Sequence, residues 1–492
     1  MQTLLEDAAG RLPWLGCSGA RALADGRIAA RYAFAHALYR QVLYERLPAL
    51  QRMQWHRQWA GALAAAHADN PGEVAAELAL HFERGEAPLE AAAQYAVVAV
   101  RAMALGAPSE ALQAARQGLH LAAGRMEPAL EQDLRSLEAV ALTRLHVLSA
   151  PEVGAAFERA RALGPTQGPG WQRTLQGCWW VHFARAEFAP ASSLAAEMQA
   201  LATQRSDPAL RLAGLNAMGI VQLCMGEFDA AREQLESALD VHASLPAGLT
   251  PTNFVQDPGV EAVWALVLVY WITGQPGRAR QLAERAVAQA AASRHPLSEA
   301  MALYAAAILH SLAEEFETAH ALTERLYALV REQSLPEARS GFAWLHGHAL
   351  VALGRSEEGL DEMRTAARHA RQLGMLTGLG GFHYHYAQAS RLAGLQDEAQ
   401  ASVMQGLAHA ESVGERTVFA LLLGLQAEIE QARGERDAAT SSWQRASPLR
   451  VRKGRCSTNC RCWLRPRPMR RQPPTLTGSG SCWPSTTSTP AR

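Results

Sequence analysis

The stretch MGIVQLCMGEFDAAREQLESAL, residues 218–239, reads as two helices and the turn that joins them. Gly226 marks the turn, because glycine ends a helix by taking the left-handed conformation that a Cβ resists. Gly219 in the first helix, and Ala231 and Ala238 in the second, are small, which lets two helix axes approach where they cross. Phe228 supplies an aromatic at the start of the second helix. One such hairpin cannot bury its own apolar face, so the stretch predicts neighbours built the same way.

Those neighbours are visible in phase. Counting from Gly226, turn marks fall at Gly274, Glu314, Gly354, Gly394 and Gly434, the last five spaced by 40 residues. Ala279, Ala319, Gly359, Ala399 and Ala439 follow them, each five positions on. Upstream, Ala186 lies another 40 residues back, before Phe188 and Ala191, and Ala150 and Gly106 continue the phase more loosely. The single longer step, from Gly226 to Gly274, carries SLPAGLTPTNFVQDP, whose Pro246, Pro251 and Pro258 predict a long loop beside a binding face. The small residues, turn glycines and aromatics resemble the tetratricopeptide pattern. A 40-residue unit in place of 34 resembles the repeats of large bacterial regulators such as the maltose-regulon activator. The predicted fold is all-α, a right-handed α-α superhelix of about ten helix pairs.

Composition agrees with that reading. A chain of 492 residues exceeds what one compact core needs, alanine and leucine dominate, and aromatics make up only 7%. Lysine occurs once, at Lys453, and Arg452-Lys453-Gly454 is not a Walker-A phosphate loop, so no P-loop ATPase is expected here. Ten of the 47 basic residues and none of the 47 acidic ones fall in 448–492, leaving 37 basic against 47 acidic before them. A body of that sign is a poor match for a phosphate backbone, so the solenoid is not expected to bind nucleic acid. The longest apolar run, Val260 to Ile272, contains Glu261 and is too short for a bilayer, and the N-terminus lacks a secretory pattern. A cytoplasmic protein without a membrane segment is expected. Cys17, Cys178 and Cys224 stand alone in helical patterns and read as small buried hydrophobes.

Residues 32–63 read as an amphipathic helix pair, with Phe34, Leu38, Val42 and Tyr44 near one stripe and Pro48 at the break. Phe34, His36, Leu38, Arg40, Tyr44, Arg52 and His56 also resemble, in order, a segment of bacterial STAND-class signalling ATPases. In that family the segment follows the ATPase and its winged-helix appendage and precedes a tetratricopeptide array. The resemblance implies residues 1–72 as a helical linker and 73–447 as the repeat solenoid. The family's phosphate loop and sensor residues have no counterpart in the 31 residues before Tyr32. From 448 on, the helical period collapses into a basic mixture rich in Pro, Ser and Thr that cannot bury a core, and it is expected to be disordered. A basic tether, a metal-binding arm through Cys456, Cys460 and Cys462, and an out-of-frame end of a GC-rich gene all remain open for it.

The expected function is a non-catalytic scaffold or sensor that takes a protein, a peptide or a small inducer in its concave groove. A free-standing adaptor never linked to an ATPase is the alternative. Candidate partner-binding residues on the first helices of their pairs are Asn216, Trp264, Tyr304, His346, Tyr384 and His385, each able to face either the groove or a packing seam. Trp344 reads as core. His346 with His348, and His383 with His385, lie two apart and do not share a helix face, so neither pair chelates alone. No catalytic motif, metal site or cofactor is expected. Glu77 and His81 read as a surface hydrogen bond.

Overall fold

The computed structural model describes residues 9–22, 28–146, 149–245, 258–293, 296–332, 336–372 and 376–446. The long loop expected before Pro258 falls mostly outside them, and the basic tail lies wholly outside them.

Among the described residues, twenty-one α-helices follow a pair of short strands. The first three are α1 (Ala37–Arg46), α2 (Ala49–Ala66) and α3 (Ala75–Arg84), with a 3-10 turn at Pro71–Val74. Then come nine pairs. They are α4 (Pro88–Ala104) with α5 (Pro108–Leu121), α6 (Pro128–Leu145) with α7 (Pro151–Arg161), and α8 (Pro169–Ala184) with α9 (Phe188–Arg205). Next are α10 (Pro208–Cys224) with α11 (Phe228–Ser244), α12 (Pro258–Ile272) with α13 (Pro276–Ser293), and α14 (Pro296–Leu312) with α15 (Phe316–Glu332). The last are α16 (Pro336–Ala352) with α17 (Ser356–Gln372), α18 (Leu379–Leu392) with α19 (Gln396–Val413), and α20 (Thr417–Ala432) with α21 (Arg436–Ala446). Even-numbered helices from α4 on are the A helices of the repeat and odd-numbered ones the B helices.

The turn phase is realised in the backbone. Gly226, Gly274, Gly354, Gly394 and Gly434 sit at φ between 78° and 91°, and Ala186 and Glu314 at φ 55° and 58° hold the same left-handed turn with a side chain. The small residues five positions on are in the crossings: Ala231, Ala279, Ala319 and Ala399 have no exposed surface. At one crossing even a methyl is excluded, since a Cβ at Gly359 would lie 2.3 Å from the Gly347 carbonyl oxygen.

The A helices form the inner layer. Each A helix from α4 to α20 touches the next A helix, whereas no two successive B helices make comparable contact. A curved stack compresses its concave side and spreads its convex side, so this asymmetry places the A layer inside a tetratricopeptide-like superhelix. Successive turns of the superhelix also meet. The Leu376 amide donates to the Ala184 carbonyl at 3.0 Å and the Arg416 amide to the Cys224 carbonyl at 2.7 Å. The Thr377 and Thr417 hydroxyls donate to the Phe183 and Leu223 carbonyls, each across 194 residues. The loop before α18 and the start of α20 therefore lie against the ends of α8 and α10, somewhat under five 40-residue repeats earlier.

The amino-terminal segment departs from the helical linker expected over residues 1–72. Strands β1 (Leu15–Ala22) and β2 (Ile28–Phe34) pair antiparallel, Leu15 opposite Phe34, with an irregularity between Cys17 and Gly19. Ala30, Tyr32 and Phe34 recur at every second residue, which is the period of a strand. Phe34 thus belongs to β2 rather than to a helical stripe, and its ring stacks on Trp14 at 6.0 Å. Cys17 is exposed on β1, not buried in a helix. Cys178 and Cys224 are buried as expected, and burial pushes the Cys178 thiol up to about 12 and Cys224 well above its ordinary value. Pro48 does separate α1 from α2.

Candidate partner-binding site

The A helices share one register. Ten residues before the turn marks stand Asn216, Trp264, Tyr304, Trp344 and Tyr384, at 40-residue steps from Trp264 on. The same position holds Gln176 before this run and Gly424 after it, so the aromatic row spans α12 to α18. Trp264, Tyr304 and Trp344 keep part of their surface exposed while packing on the core below. Rings continue from one repeat to the next: Tyr304 meets Phe342 at 4.9 Å and Trp344 at 6.3 Å, Trp344 meets His385 at 4.8 Å, and His385 meets Tyr384 at 5.1 Å. A half-buried aromatic combines a large apolar area with few rotors, which suits contact with a partner.

The remaining candidates sit deeper than an open groove residue. Asn216 is buried, its amide 3.5 Å from the Glu261 carboxylate on the next A helix. Tyr384 is buried and accepts a hydrogen bond from Gln388 at 3.0 Å. His385 is buried against His348 and Ser311. Burial drives His348 down to about 3, and burial first and His348 second hold His385 well below its usual range, so both rings are neutral. His346 faces the B layer, with Nδ1 2.7 Å from Glu362 on α17 and Nε2 2.9 Å from Glu324 on α15. Trp344, read as core, does pack on it, yet shares the partly exposed register. Its phase relative to Gly354 was the signal for that.

The segment from His36 to His81 is organised by a few of its polar and aromatic side chains. His36 caps α1 by accepting from the Leu38 amide at 3.2 Å, Tyr44 bonds His56 at 2.9 Å, and the Arg52 guanidinium lies 5.2 Å from the Tyr44 ring centre. His56 Nδ1 lies 2.7 Å from His81 Nδ1, and burial lowers both imidazoles. Glu77 lies 3.8 Å from His81, beyond the reach of the expected hydrogen bond. Leu38, Tyr39, Val42, Leu43, Trp55 and Trp59 nevertheless stay exposed on α1 and α2. Among the described residues no helix is long and apolar enough to cross a membrane, and only His320, Glu324 and His346 converge as metal ligands would.

No family model matches the chain, and no curated protein matches it. Among solved structures, a Rap protein complexed with competence and sporulation factor is similar, with a TM-score of 0.55 at 13% identity over 73% of this chain and 98% of that one. The APC/C hetero-tetramer Cut9–Hcn1 gives 0.47 at 13% identity over 80% of this chain and 67% of that one. A tetratricopeptide repeat protein from Parabacteroides merdae gives 0.32 at 15% identity over 60% and 99%. The likeness to the Rap protein shows the fold, a tetratricopeptide-like helical-repeat solenoid.

Proposed function

We propose that the chain is a scaffold that binds a peptide or an extended protein segment along the A-helix face of its superhelix. The observation that carries this reading is the row Trp264, Tyr304 and Trp344, partly exposed and repeated in register on three successive A helices. A preformed face of this kind orders little on binding, which keeps the entropic cost of association low. A protein of the same fold is complexed with the competence and sporulation factor, a precedent for ligand binding on such a solenoid. Panning a random peptide library against the purified chain tests the proposal. Selected peptides should bind Trp264→Ala and Tyr304→Ala at least tenfold more weakly, with an unchanged far-UV circular dichroism spectrum at the assay temperature as the control for folding. Peptides that bind both variants as well as the parent chain refute it.

The finer reading is that this scaffold is the sensor portion of a STAND-like signalling ATPase. What supports it is the exposed apolar row on α1 and α2, beside the ordered Tyr44–Arg52–His56 cluster, which suits contact with a further folded unit. A free-standing adaptor is the alternative. Reading the locus upstream separates them: a Walker-A motif in any frame supports the first, and an unrelated gene the second.

A further inference from the structure

We infer that His320, Glu324 and His346 form a divalent-metal site, of the class that takes Zn2+, joining one helix pair to the next. His320 and Glu324 are one turn apart on α15, and His346 reaches them from α16, so that the three ligand atoms all lie within 4.8 Å of one another. Ligands at about 2 Å around a tetrahedral ion stand a little over 3 Å apart, so small rotamer changes close the set. The His346 and His320 rings lie 5.1 Å apart and 30° from parallel.

Two further observations point to a cation rather than to simple packing. His320 Nδ1 is buried and has no hydrogen-bond partner, which a protein interior seldom leaves uncompensated. His346 is backed by a carboxylate: Glu362 lies 2.7 Å from its Nδ1 and accepts a further hydrogen bond from the Tyr327 hydroxyl. That arrangement fixes the tautomer with Nε2 free to coordinate and raises its basicity, as outer-shell carboxylates do at metal sites. The competing arrangement is an imidazolium held between Glu324 and Glu362. Burial works against that charge, and the hydrogen bonds to Glu362 and Glu324 outweigh it and raise His346. A charged His346, however, leaves His320 Nδ1 unsatisfied, whereas a metal ion engages both rings. Two imidazoles and one carboxylate leave a fourth position for water. The Glu324 side chain is 58% exposed, so the ion enters from solvent.

The test is titration of the metal-free, tag-free full chain with ZnCl2, followed by calorimetry and by the d–d spectrum of Co2+. One equivalent should bind. Glu324→Gln, at an exposed position that leaves folding intact, should weaken it at least tenfold, His346→Gln should abolish it, and Glu362→Gln should weaken it about 10–100-fold. A variant with Cys456, Cys460, Cys462 and Cys482 changed to Ser should bind as the parent does. Loss of binding in that variant, binding indifferent to Glu324→Gln, or no binding at all overturns the inference.

Discussion

Replacing glycine by alanine inside a helix ordinarily stabilises it by about 0.5–1 kcal/mol, and this protein offers two positions where the same change should have opposite signs. Gly61 lies mid-helix in α2, exposed, with nothing within 4 Å of a built Cβ. Gly61→Ala should therefore raise stability by about 0.5–1 kcal/mol. Gly219 lies at the crossing of α10 and α11, where a Cβ meets Leu235 Cγ at 2.6 Å, Leu235 Cδ2 at 2.9 Å and the Ala231 carbonyl oxygen at 3.3 Å. Leu235 is fully buried, so it cannot swing away. Overpacking of this kind costs about 1–3 kcal/mol and outweighs the propensity gain, leaving Gly219→Ala less stable by roughly 1–2 kcal/mol. Urea unfolding followed by far-UV circular dichroism reads both shifts. Because a repeat array unfolds in neighbour-coupled units, a midpoint is comparable only where the slope is unchanged. Adding Leu235→Val to Gly219→Ala should return part of the loss, with a coupling of about 1 kcal/mol. If Gly219→Ala raises the midpoint as Gly61→Ala does, the two helices do not cross at that residue and the repeat geometry is wrong.

Other outcomes follow from single features. Glu314 holds a left-handed turn with a side chain, so Glu314→Gly should stabilise by about 1 kcal/mol, and Gly354→Ala, at φ 91°, should lose about as much in the same unfolding assay. Burial raises the Glu415 carboxyl from 4.5 to about 7, so the folded chain keeps a proton that the unfolded chain releases. Stability from this group is therefore greatest below about pH 4.5 and falls as pH rises to about 7, by up to about 3 kcal/mol. Glu415→Gln should remove this dependence, so that the difference in stability between the two chains changes by that amount across the window. Thr377→Val and Thr417→Val each remove a donor to a carbonyl one superhelical turn away, and should cost about 1 kcal/mol apiece while speeding hydrogen exchange at the Leu376 and Arg416 amides.

The repeat was legible because its signals are local. A glycine at the turn and a small residue five positions on are read within one hairpin, and the 40-residue phase then carries them along the chain. Glu314 and Ala186 were legible only through that phase, since neither residue type announces a left-handed turn. The β1–β2 pair was missed because its strands are rich in alanine and arginine, which favour helices, and pairing between the two strands overrides that preference. His346 was placed on the right helix, with the groove and a packing seam both open to it. Its facing toward the B layer depends on where Glu324 and Glu362 fall after folding, which spacing on one helix does not reveal. The same holds for His320, whose approach to His346 crosses from one pair to the next. The contacts across 194 residues follow from the superhelix's pitch, a sum of small rotations per repeat that no single repeat encodes.

Hydrogen–deuterium exchange of the chain with and without a saturating, library-selected peptide is the direct test of binding along the A face. Binding along the A face should slow exchange in α12, α14 and α16, with the B helices α13, α15 and α17 unchanged. Protection confined to the B helices, or to the β1–β2 pair and α1, would contradict it.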